Sequence, residues 1–172
     1  MNTVCFDAFT LGNHEFDKGD SGLKSFLDRL RAGTCKTPVL SANVRFGANS
    51  ALNAAKAPGY VNPSTVVERG GQKIGIVGLT IAGKTKASSS PDTDTTFEDE
   101  ATAAQREIDA LRAKGINKII VMSHVAMSTT ARSCPSSAAW TWSWAATRTP
   151  CSAPTCSTPP AWAHRAAPTP HA

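Results

Sequence analysis

The sequence predicts an α/β layered domain, on three observations. Helical and strand periodicities alternate between residues 22 and 124. Two dense apolar runs, "KIGIVGLTI" and "NKIIVMSH", read as buried strands, and a helical pattern lies between them. Polar residues fall at the strand ends, where folds of this class keep their chemistry. At 172 residues the chain is long enough for one domain with a real core.

The elements follow in order. Residues 22–33, "GLKSFLDRLRAG", place Leu23, Phe26, Leu27 and Leu30 on one helical face, with Gly33 as a stop. "PVLSANV", residues 38–44, reads as a strand after a proline. Residues 64–81 read as two strands around a Gly-Gly turn, the second central and buried. Residues 82–95 are rich in Ser, Thr, Pro and Asp and read as a loop. A helix follows over 97–114. Thr96 is its expected cap, and Glu98, Asp99 and Glu100 suit the positive end of its dipole. Phe97, Ala101, Ala104, Ile108 and Leu111 form its stripe, and Lys114-Gly115 ends it. The last strand carries His124 at its C-terminal end.

Composition divides the chain at residue 125. Residues 1–125 carry every Asp, Glu, Lys, Leu, Ile, Val, Phe and Gly. Residues 126–172 hold none of these, yet contain all four Trp, three of the five Cys and seven of the eleven Pro. A disordered Pro/Ala/Ser/Thr linker is the plain reading of such a tail, but four Trp argue against it. The net charge of +5 divides in the same way. The body carries 15 basic and 13 acidic residues, and the tail adds Arg132, Arg148 and Arg165. No basic cluster sits on any one element, so the sequence does not call for a nucleic-acid polymer as partner. The Cys count is odd and no C-x-x-C occurs, so Cys5 and Cys35 are expected as thiols rather than as a disulfide. No run is apolar enough to span a membrane, and no signal peptide is visible in this chain.

The chemistry concentrates in "LGNHEFDKG", residues 11–19. Asn13 offers a neutral oxygen to a metal ion. His14 can give a proton to a leaving oxygen. Asp17, three residues on, can share a helical face with His14, accept its second ring N–H and fix its tautomer. Glu15 and Phe16 are expected to point elsewhere. A Gly-Asn turn with a surface His and a capping Asp is the alternative on these residues alone.

The longer stretch "FDAFTLGNHEFDKG" resembles the signature block of the calcineurin-like metallophosphoesterases, and within them the 5'-nucleotidase / 2',3'-cyclic phosphodiesterase family. The resemblance continues through "PVLSANV", "GGQKIGIVGLT" and the segment from Phe97 to Val125. It implies a four-layer α/β/β/α sandwich with two divalent metal ions of Zn, Mn, Mg or Ca type. It implies nucleotides or other phosphate esters as substrates, and a periplasmic, secreted or cell-wall location. Carried onto this chain, it makes Asn13 and His124 metal ligands. It makes His14 and Asp17 the dyad that stabilises the transition state and assists the leaving group.

The chain also departs from the family pattern. An Asp-x-His segment and a Gly-Asp segment are expected well before the Gly-Asn-His motif, and only twelve residues precede Asn13. Asp7 and Asp20 stand in the wrong context to replace the bridging Asp. A late Gly-Gly-Asp/His-Ser-His segment is absent as well. Residues 1–125 therefore read as a partial catalytic domain, an inactive fragment whose missing strands leave an open sheet edge and an apolar face. A non-catalytic remnant or binding protein is the alternative. Residues 126–172 read as a frame-shifted, irregular tail. The segment from Trp140 to Ala153 can be written in GC-rich codons that, with one base added in front, translate as Val-Asp-Val-Val-Val-Gly-Gly-Asp-Ser-His-Thr-Leu-Leu-Gly. That is a strand running into the absent ligand segment, as a one-base loss near Val125 would produce.

Overall fold

The structure is a computed structural model that describes residues 3–125. The tail expected to be irregular and frame-shifted, residues 126–172, lies outside the described residues. In chain order the elements are β1 (Phe9–Thr10), a 3-10 turn (His14–Phe16), α1 (Gly19–Ala32), β2 (Val39–Leu40), β3 (Val44–Arg45), β4 (Ser64–Arg69) and β5 (Gln72–Thr80). Then come α2 (Ala82–Ser88), β6 (Thr96–Phe97), α3 (Glu100–Ala113) and β7 (Lys118–His124).

Two hydrophobic cores build the layers. The i, i+4, i+7 spacing of α1 lays Leu23, Leu27 and Leu30 against Leu11, Phe16 and Val39. Phe9 of β1 meets Phe26 of α1 edge-on at 6.1 Å. α3 lays Ala103, Ala104 and Leu111 against Val77 and Leu79 of β5. β1 pairs with β2 in parallel, and β5 lies between antiparallel β4 and parallel β7. The β layers join where Ala42 N–H donates to Gly78 O at 2.7 Å. Helix, β layer, β layer, helix is the α/β/β/α order that the resemblance implies. The β4–β5 hairpin closes on Gly70 and Gly71, whose φ angles of 55° and 69° suit the tight turn that two twisted strands need.

The structure corrects four local expectations. The strand expected over 38–44 is two short strands, because Ser41 and Asn43 turn inward to bond Thr80. The segment expected as a loop begins with α2, whose first N–H, on Ala82, is held by Glu100 Oε1 at 2.8 Å. Thr96 does not cap α3. Thr96 and Phe97 form β6, paired with β3, and Asp99 caps the helix by accepting Thr102 N–H at 2.8 Å. The buried face of α3 accordingly runs through Ala103 and leaves Phe97 to the other core.

The fourth correction concerns the cysteines. Cys5 and Cys35 form a disulfide, with Cα atoms 4.9 Å apart. Parallel pairing explains it. Phe9 is in register with Val39, so residues four places upstream of each are brought together. Sequence spacing alone carries no trace of that register.

One side of the β4–β5–β7 sheet is only partly covered. Ile119 and Val121 pack toward α3, whereas Ile120 between them is 45% exposed and Val66 is 43% exposed. β7 is an edge strand among the described residues. No helix among them is long and apolar enough to cross a membrane.

Candidate functional site

The four residues singled out in the sequence gather where β1, β5 and β7 end. β1 delivers the chain to Leu11, fully buried, whose N–H donates to Leu40 O at 3.2 Å. The 3-10 turn follows at once, closed by Phe16 N–H to Asn13 O at 3.1 Å and Asp17 N–H to His14 O at 3.2 Å. Phe16 anchors the turn in the core against Phe97, with ring centroids 5.5 Å apart. With that side chain buried, His14 is turned outward, its side chain 73% exposed.

His14 Nδ1–H donates to Asp17 Oδ2 at 2.8 Å. This bond leaves Nε2 facing away from the turn. It also holds the Asp17 carboxyl below its ordinary range, with Ser89 beside it as a second cause. Asn13 is almost fully buried, and its Oδ1 accepts His124 Nε2–H at 3.0 Å across 111 residues of sequence. Asn13 Nδ2 is buried without a partner among the described residues. His124 stands at the end of β7, in register with Thr80 of β5.

Two further features hold this arrangement. Gly12 lies against the His124 ring. A Cβ there would fall 3.2 Å from the ring carbons Cδ2 and Cε1 and 2.9 Å from Glu15 Oε2. Glu15, expected to point away from the site, turns back and accepts Gly12 N–H at 2.7 Å. Beneath them is a buried polar hub. The Thr80 hydroxyl donates to Leu11 O at 2.9 Å, so its own oxygen accepts from Ser41 Oγ at 2.8 Å. Asn43 brackets the Thr80 backbone, donating to its carbonyl at 2.8 Å and accepting its N–H at 3.0 Å. The hub fixes the end of β5 against the strand that leads to Asn13.

The sequence singles out Asn13, His14, Asp17 and His124, and the structure sets them close together, but it gives no sign of the bonds made by Ser41, Asn43 and Thr80. The one signal of these three is position: polar residues interrupting or ending otherwise apolar runs. Asp20, considered above as a stand-in ligand, is buried as a structural tether. It accepts from the hydroxyls of Ser50 and Thr95. Asp7 pairs with Arg69 on the surface.

Known proteins resemble the body of this chain in sequence and fold. No protein-family model matches the chain. The NAD 5'-nucleotidase of Haemophilus influenzae is 47% identical over 125 residues, covering 72% of this chain and 19% of that protein. The solved structure of the H. influenzae NAD nucleotidase superposes with a TM-score of 0.63 at 42% identity, covering 74% of this chain and 23% of that one.

The chain belongs to the 5'-nucleotidase family. The calcineurin-like phosphoesterase YfkN from Bacillus subtilis, 23% identical with a TM-score of 0.56, shares the fold. This 5'-nucleotidase-family chain spans about a fifth of the length of the curated relatives it matches. The resemblance read from the sequence implies two divalent metals, so the donor set can be tested against them. Asn13 Oδ1 and His124 Nε2 face each other, as two donors to one ion would. Among the described residues no group of three or more His, Cys, Asp or Glu side chains is placed to hold a metal ion. A two-metal centre needs more donors than these two. The described residues therefore do not fit the complete metal pair.

Proposed function

We propose that this chain is part of a metal-dependent phosphoesterase that hydrolyses nucleotide phosphate esters in nucleotide catabolism, and that by itself it does not turn over. The observation that carries the first half is the convergence of Asn13 and His124 beside the His14–Asp17 pair, in a chain of this family. Asp17 holds the His14 ring through Nδ1, so Nε2 is the atom available to give a proton to a leaving oxygen. The buried Asn13 amide, a donor without an acceptor, is the kind of group a phosphate oxygen satisfies. We assign Asn13 and His124 as metal ligands and His14 and Asp17 as the dyad. Substrates are nucleotides or related phosphate esters, and the location is periplasmic, secreted or cell-wall associated.

The small number of donors among the described residues supports the second half. Residues 1–125 are then a partial catalytic domain, and residues 126–172 are an out-of-frame translation after a one-base loss near Val125. Sequencing the locus tests that origin. A stretch encoding Trp140 to Trp144 in the same frame as His124 in an intact gene would rule it out.

A Mn²⁺ titration of the full chain followed by NMR tests the site. Paramagnetic broadening should centre on Asn13 and His124 and should need millimolar metal. Two tight, saturable ions would overturn the incomplete-site reading. Broadening with no focus at these residues would overturn the ligand assignment.

A further inference from the structure

A separate cleft lies at the opposite end of the β1–β2 sheet. Asn13 leaves the C-terminal end of β1, whereas this cleft opens at Pro38 and Val39, where parallel β2 begins. Its volume is about 440 Å³, within the range of small-molecule sites. Leu30 and Val39 make its apolar wall, Tyr60 supplies an aromatic face, and Arg31, Lys36 and Thr37 supply the polar groups. No Asp or Glu lines it.

The two cations in the wall are positioned by neutral groups. Arg31 donates to Gly59 O at 2.9 Å, with its guanidinium 4.4 Å from the centre of the Tyr60 ring. Lys36 Nζ donates to Arg31 O at 2.8 Å. Asp28, three residues before Arg31 on α1, is bonded by Lys24 and by the Tyr60 hydroxyl and also feels the charge of Arg31, without a hydrogen bond to it. Arg31 and Lys36 therefore hold two positive charges with N–H groups to spare. Thr37 is an independent observation. It is 8% exposed, it lines the cleft, and its hydroxyl is buried with no hydrogen-bond partner among the described residues. Buried hydroxyls are ordinarily satisfied, so a lone one in a basic cleft marks a place for an acceptor. The Cys5–Cys35 disulfide sits one residue from Lys36 and fixes that wall.

We propose that this cleft is a second ligand site, for a small organic anion. The anionic head, a phosphate or a carboxylate, takes donors from Arg31, Lys36 and Thr37. A flat apolar body lies between Tyr60 and the wall of Leu30 and Val39. The site is independent of the Asn13–His124 centre and does not depend on the nucleotidase reading.

Amide chemical-shift titrations of the full chain test it, with phenyl phosphate, benzoate and neutral benzyl alcohol at constant ionic strength. Both anions should give saturable shifts at Arg31, Thr37 and Asn62, and benzyl alcohol should not. Tighter binding of phenyl phosphate assigns a phosphate head, and tighter binding of benzoate assigns a carboxylate. Thr37→Val, nearly isosteric, should weaken binding about fivefold, roughly the worth of one hydrogen bond. Lys36→Gln should weaken it more than about tenfold, as for a charge-assisted bond. Lys73→Gln, on the exposed hairpin, should change nothing. Absence of saturation, an equal response to benzyl alcohol, shifts confined to Asn13 and His14, or an equal loss in Lys73→Gln would each overturn the site.

Discussion

Gly12 shows how a single residue decides whether two distant side chains meet. Asn13 and His124 are brought together because nothing projects from Gly12 into the space the imidazole occupies. Glu15 Oε2 is the end of a flexible side chain and can yield to an added methyl. The His124 ring, bonded to Asn13 on one side, yields less. Gly12→Ala should therefore displace the ring, break the Asn13–His124 hydrogen bond and cost about 1–3 kcal/mol. Chemical denaturation and the His124 ring resonances check both parts; an unchanged ring signal would show that the close approach does not matter. The residues of this site were legible because the Gly-Asn-His-Glu-Phe-Asp string is compact and distinctive. Gly12's packing role was not, because its neighbour is more than a hundred positions away. Ser41, Asn43 and Thr80 were illegible for the same reason: a buried polar residue reads as a strand ending until its partner is known.

At the scale of elements, long amphipathic segments were read correctly and short ones were not. α1 and α3 each bury a periodic face and β5 buries a continuous apolar run, and these are written in the sequence. β7, expected as a buried strand, is instead an edge strand whose residues are all partly or fully exposed, because among the described residues no strand lies beyond it. α3 also ends as expected: Gly115 N–H bonds Arg112 O at 2.8 Å, and Ile116 N–H bonds Leu111 O at 3.1 Å. Its start was misplaced by three residues. Thr96 has the right chemistry for a cap, but pairing of Phe97 with Val44 draws it into β6, and Asp99 takes the role. Asp99→Ala should accordingly cost about 1 kcal/mol at neutral pH, and Asp99→Asn much less.

The pH dependence of that cap follows from the same bonds. The Thr102 N–H, and after it the Thr102 hydroxyl, hold the Asp99 carboxyl below its ordinary value of 3.8. A depressed folded-state pKa stabilises above the unfolded value and ceases to do so as pH falls through the folded one. The cap is therefore at full strength above about pH 5 and weakens in acid. Asp99→Asn should lose this acid dependence, which thermal melts between pH 2 and 7 would show.

At the scale of the whole molecule, tertiary pairing supplies what periodicity cannot. The parallel β1–β2 register places Cys5 on Cys35, closing a loop of 30 residues. A bridge over that span stabilises by about 3–4 kcal/mol, a large share of the stability of a domain this size. Reductant should lower the melting temperature markedly, and the double Ser variant should melt at the reduced value with or without reductant. Ile120 and Val66, exposed on a sheet whose edge is open among the described residues, add an association hazard, so melts belong at low protein concentration. The same view separates the two claims about function. Family membership rests on the fold and on identity over the body of the chain. Incompleteness rests on the number of donors gathered around Asn13.

The most direct measurement is phosphate release from a nucleoside 5'-monophosphate by the purified full chain, with saturating Mn²⁺ or Zn²⁺, beside the His14→Ala variant. The account predicts no metal-dependent release above the buffer rate from either protein. Metal-dependent turnover by the unaltered chain that His14→Ala abolishes would contradict it.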